Sequence, residues 1–187
     1  MKLLKGIFVV LTLVLLLYMV WPTGPQDISD FSELPNSTTS DLPGDTWQTP
    51  NIAAYFSENY RGFVIPYYIN DYKSFTNFPI DPLRLNYPPE YAFSAIKDQT
   101  HATYLEEITY PLRDSVFISG LEPFDEETKE PRYDGAHMLP FDGEKYETKT
   151  ILRFYPSPLW ARVGVWLGIT LSFAMLWVMT KKIIFEK

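Results

Sequence analysis

Chemistry in this chain would have to begin with its two histidines, since imidazole titrates near neutral pH and ligates metals. His101 stands near Glu106 and Glu107, and His137 lies between Asp134 and Asp142. Either group contains the residue types for an acid/base centre or a metal-assisted hydrolase. Neither has the spacing: there is no HExxH and no pair of histidines four residues apart. Asp134-Gly135 ahead of His137 also reads as a polar turn. The chain contains no cysteine, which removes disulfides, thiolate zinc sites, iron–sulfur clusters and cysteine nucleophiles. A G-x-S-x-G elbow, a phosphate-cradling G-x-x-x-x-G-K loop and a G-x-G-x-x-G fingerprint are all missing. The run Glu122 to Glu130 is rich in acids but lacks the alternating ligands and central glycine of a calcium loop. No cofactor and no metal are therefore expected.

Binding is better represented than catalysis. Tyr67, Tyr68, Tyr72, Tyr87 and Tyr91 crowd into one short stretch, and tyrosine offers a flat apolar face with a polar tip for a sugar or a peptide. Most of them also fall at helical or strand spacing, which favours a core role. Gly164, Gly168 and Ser172 recur every four residues within an apolar run, and such a small-residue face lets a second helix backbone approach closely. The first apolar run, nearly all Leu, Val and Phe, is a poor match for that face. Asn36-Ser37-Thr38 is an N-glycosylation sequon, relevant only where the glycosylating machinery exists.

These residues sit in a chain of 187 residues with a formal net charge of −7, enough for one domain and its anchors. Between Pro22 and Pro158 there are 22 acidic and 10 basic side chains, so the middle segment is strongly acidic. Nucleic acid, which needs a Lys/Arg surface, is excluded as a partner. The run Leu159 to Thr180 has no charge from Val163 to Met179, is bordered by Trp160 and Trp177, and is followed by Lys181 and Lys182. At ~1.5 Å per residue it spans a hydrocarbon core of about 30 Å, so it reads as a transmembrane helix. Gly6 to Trp21 is a second apolar run, behind Lys2 and Lys5. It fits an uncleaved anchor or a cleaved signal, and the missing small-x-small site before Pro22 favours the anchor.

The expected organisation follows the chain. Residues 1–21 form a signal-anchor. Residues 22–48, with four prolines, five acids and no Lys or Arg, read as a disordered stalk. Residues 49–155 form an α+β domain, 159–180 the second span and 181–187 a cytoplasmic tail. Within the domain, Thr49-Pro50 and Gly62 bracket an expected first helix, Pro66 opens a second, and Pro89 to Asp98 allows a short third. Proline breaks Asn77 to Pro89 into a loop. From Tyr104 the period changes to two, giving antiparallel strands over Tyr104 to Leu112, Ser115 to Ser119 and Tyr146 to Tyr155, with turns at Asp134-Gly135 and Asp142-Gly143. The positive flanks put both termini in the cytoplasm and the domain outside. The leading expectation is a non-enzymatic membrane-anchored envelope protein, an accessory or scaffold subunit of a membrane complex. Its second span would meet a membrane-protein partner or a second copy. The alternatives are an extracytoplasmic glycan- or peptide-binding domain and the metal-assisted hydrolase.

Overall fold

The β-branched and aromatic run at the end of the domain, Thr148–Tyr155, forms the longest strand and the centre of the sheet. In the computed structural model, which describes residues 2–21, 24–46, 49–76, 78–96 and 102–185, the fold is α+β. Six strands belong to one antiparallel sheet: β1 Ser37–Thr39, β2 Ile52–Ser57, β3 Leu83–Tyr87, β4 Tyr104–Thr109, β5 Ser115–Leu121 and β8 Thr148–Tyr155. Their spatial order is β1-β2-β8-β5-β4-β3, which leaves β1 and β3 at the edges. Strand β8 pairs with β2 from Ile52↔Arg153 to Ser57↔Thr148, and with β5 from Ser115↔Tyr155 to Leu121↔Lys149. Strands β6 Leu139–Phe141 and β7 Glu144–Tyr146 form a separate hairpin. It turns at Asp142 and Gly143, both at positive φ, as a two-residue connection requires. Phe141 of the hairpin stacks on Phe56 with ring centroids 4.4 Å apart.

Alternation along the strands splits the apolar residues between two clusters. Tyr55, Tyr104, Ile108, Val116, Ile118, Leu152 and Phe154 meet Val64, Ile65, Tyr68 and Tyr72 of helix α2, Arg61–Thr76. Ala54, Leu105 and Ile151 point the other way, towards Ala92 and Ile96 at the short helix α3, Ala92–Ala95. The sheet is thus covered on both faces, which explains why Leu105 interrupts the alternation of β4. Fully burying a side chain of this size contributes about 1.5–3 kcal/mol, so the larger cluster is the main source of stability.

Several expectations give way here. The segment read as a stalk belongs to the domain over residues 24–46: β1 pairs with β2, and Phe31 and Leu34 are buried in the larger cluster. Phe31 lies against the rings of Tyr72, Phe75 and Phe154 at 5.5–5.9 Å between centroids. A composition average over the segment hides these two anchors. The expected first helix is strand β2 instead. Asn51 turns the chain at φ 55, and the next six residues are buried or half-buried on both faces, so they show no helical stripe. Helix α2 starts at Arg61 and runs through Pro66, which is exposed, so the carbonyl that loses its N–H partner faces solvent. The proline-broken stretch contains the edge strand β3. The β4 strand ends at Thr109, and Leu112 turns at φ 64 in the connection to β5.

The chain divides into two compact units, Gly24–Pro156 and the two terminal helices. Helix α1, Lys2–Val20, and helix α4, Leu159–Phe185, are both long and apolar enough to cross a membrane. They pack on one another. The Trp166 indole donates to the Thr12 carbonyl at 2.7 Å, and the Arg162 guanidinium donates to the Ser157 carbonyl at 2.8 Å and the Met19 carbonyl at 3.4 Å. Arg162 is buried and sits at the C-terminal end of α1, where carbonyls lack helical partners and a cation is favoured. Helix α1 is therefore a neighbour of α4 despite its bulky residues.

Candidate functional site

Glu106 lies in phase with Tyr104 and Ile108 on β4, so its carboxylate points into the apolar side of the sheet, where it is fully buried. Burying a charge costs several kcal/mol unless it is paired and hydrogen-bonded. Two arginines supply that pairing. Arg61, the first residue of α2, donates Nε to Glu106 Oε1 at 2.5 Å. Arg84 of β3 donates Nη2 to Oε1 at 2.7 Å and Nε to Oε2. Arg61 also donates Nη2 to Asn86 Oδ1 at 3.1 Å and lies over the Tyr104 ring, 5.3 Å from its centroid. The ring in turn lies across β5, where a Cβ on Gly120 would come within 2.1 Å of it. Only glycine leaves room there.

A second carboxylate adjoins the first. Glu122 Oε1 accepts the Arg61 backbone N–H at 2.6 Å, and Oε2 lies 3.5 Å from Arg132 Nη2. Burial pushes the Glu122 carboxyl above the usual glutamate value, with the Arg61 amide and the Arg132 and Arg61 charges pulling it back. Burial also raises the Tyr104 phenol, assisted by the nearby Glu122 charge. Beside this network opens a cavity of about 390 Å³, lined by Arg61, Asn86, Tyr87, Pro88, Thr103 and Tyr104 among others. Among the described residues, the guanidinium Nη1 atoms of Arg61 and Arg84 meet no hydrogen-bond acceptor. The arrangement can receive a hydrogen-bond acceptor, an anion above all, next to apolar ring and proline surface.

No protein-family model, curated protein or solved structure matches this chain.

Of the tyrosines expected to share a binding face, Tyr68 and Tyr72 are core residues, Tyr72 donating to the Asp114 carbonyl at 2.7 Å. Tyr67 is half-buried and donates to the Glu33 carbonyl at 2.9 Å. Tyr87 is on β3 and donates to Glu107 Oε2 at 2.7 Å, while Tyr91 is exposed. They do not converge, because α2 and β3 present them to different surroundings; Tyr87 is the one that lines the cavity. His101 lies outside the described residues. His137 is exposed with Nδ1 3.0 Å from the Gly135 carbonyl, and among the described residues no group of three metal-ligating side chains gathers. The acidic loop closes on itself: Asp125 Oδ1 accepts the N–H groups of Glu127 and Thr128, both at 3.1 Å. Asn36 is exposed at φ 52 just before β1, and Thr38 shares a 2.7 Å hydrogen bond with the Tyr146 hydroxyl.

On α4, Gly164 and Gly168 have nothing within 4 Å of the place a Cβ would take. Gly168 and Ser172 lie in a groove of about 420 Å³ bounded by Val165, Ile169, Phe173 and Leu176. At 3.6 residues per turn, Gly164, Gly168 and Ser172 fall on roughly the opposite side of α4 from Arg162 and Trp166, which hold α1. The arginine–carboxylate site went unnoticed in the sequence, yet a signal existed. Glu106 occupies an inward position of an alternating strand, and a charge there demands partners.

Proposed function

We propose that this chain is a non-enzymatic, membrane-anchored envelope protein, an accessory or scaffold subunit of a membrane complex. In this reading α1 and α4 both cross the bilayer, both termini are cytoplasmic, and Gly24–Pro156 lies outside. Lys2, Lys5, Lys181 and Lys182 at the outer ends of the two apolar runs support that orientation through the positive-inside bias. The carrying observation is the unoccupied small-residue face of α4, turned away from the helix that already packs on it. Lipid supplies no hydrophobic force between helices, so close backbone packing at such a face is what would hold a partner helix or a second copy.

The test is gentle extraction of the full-length protein from its own membrane, followed by intact mass and partner identification. The expected result is a retained first span and a discrete partner, or a second copy, at fixed ratio. Gly164→Ile together with Gly168→Ile should remove that partner while the ectodomain stays folded. Co-purification unchanged by the double substitution would sink the reading.

A further inference from the structure

Strand β3 ends the sheet, and its only strand neighbour among the described residues is β4. All five of its residues are exposed or half-exposed. An edge of this kind offers backbone N–H and C=O groups to another extended chain, and natural edges left open in this way serve as docking strands. Pro82 on one side and Pro88-Pro89 on the other carry no N–H, so the pairing frame is confined to Leu83–Tyr87.

The two faces of the edge differ. Leu83, Leu85 and Tyr87 share one face, with Leu83 50% and Leu85 39% exposed. Arg84 and Asn86 share the other, where Arg61 joins them through Asn86 and Glu106. Both guanidinium groups are partly exposed there and share the one buried Glu106 carboxylate, and among the described residues neither Nη1 atom meets a protein acceptor. The cavity beside Arg61, Asn86 and Tyr87 opens at the C-terminal end of the same strand.

We infer that β3 is the docking edge for an extended polypeptide segment of a partner protein, one that presents a carboxylate side chain between apolar neighbours. Its backbone would add a seventh strand. Alternate side chains would face Leu83 and Leu85 on one side, while an Asp or Glu of the segment meets Arg84 and Arg61 on the other. This surface goes beyond the span-packing reading and uses none of its residues, so failure of either leaves the other standing.

The experiment displays a random octapeptide library to the full-length protein reconstituted in nanodiscs, with empty nanodiscs as the counter-selection. Enriched peptides should carry one Asp or Glu flanked on both sides by apolar residues. Replacing that acid by its amide should weaken binding roughly tenfold or more, the scale of a charged hydrogen bond, and Arg84→Gln should produce the same loss without a further loss when the two are combined. A second measurement leaves the protein unaltered: N-methylation of alternate amides in an enriched peptide should abolish binding in one phase and spare it in the other, since strand pairing uses every second amide. The inference is overturned by absence of enrichment, by enriched peptides without an acid, or by indifference to backbone methylation.

Discussion

Glu122 sets how the charged corner of the domain responds to pH. Its carboxyl is held above the ordinary value of 4.5 chiefly by burial, so the folded chain keeps that proton to a higher pH than the unfolded chain. Stability from this group therefore falls as pH rises from about 4.5 through the raised folded value, and is level above it. Glu122→Gln should remove that slope, so thermal melts from pH 4 to pH 7 should show the variant gaining on the parent as pH rises. Glu147 has the opposite sign. A hydrogen bond from Lys129 holds it below 4.5, so its contribution is present at neutral pH and lost as pH falls through the lowered value. An identical slope for Glu122→Gln and the parent would refute the assignment. Two arginines secure Glu106, and removing one partner of a buried pair costs more than the pair contributes.

Phe31 decides whether the segment before β1 is tether or domain. It is buried among Tyr72, Phe75 and Phe154, contacts that link the N-terminal segment to α2 and β8. Phe31→Ala should destabilise the domain by about 3–5 kcal/mol, a large fraction of the stability of an ordinary domain. Urea unfolding of the full-length protein in mild detergent measures this as a lowered midpoint. A mobile stalk would give no change. The same element-level logic applies to β2, all six of whose residues pair with β8 while Tyr55, Phe56 and Ser57 also pair with β1, so strand partners hold it extended.

The two terminal helices form a unit in which polar contacts bind apolar surfaces. Trp166 to Thr12 and Arg162 to Met19 are hydrogen bonds from side chains to carbonyls of the other helix. Interhelical hydrogen bonds within a membrane contribute about 0.6 kcal/mol each on average and at most about 1.7 kcal/mol. Because the native chain has no cysteine, single cysteines introduced at the exposed positions Leu3 and Met179 can carry spin labels without background. The inter-label distance distribution should be narrow in the parent and broaden when Arg162→Leu and Trp166→Phe are combined. An unchanged distribution would show that apolar packing alone aligns the pair.

What the sequence determined by itself was local. Two long apolar runs, the alternation along Thr148–Tyr155 and the Asp142-Gly143 turn each depend on neighbours a few residues apart, so composition and period suffice to read them. Helix against strand at Ile52–Ser57 was not local, since a short run buried on both faces has no period of its own. Nor was the site. Glu106 takes one arginine from 22 residues and another from 45 residues away, and Phe31 finds Tyr72 and Phe75 across a comparable distance and Phe154 across a far longer one. The tertiary structure decides these, because the cost of closing such loops and desolvating such charges is offset only when the whole sheet and α2 assemble together.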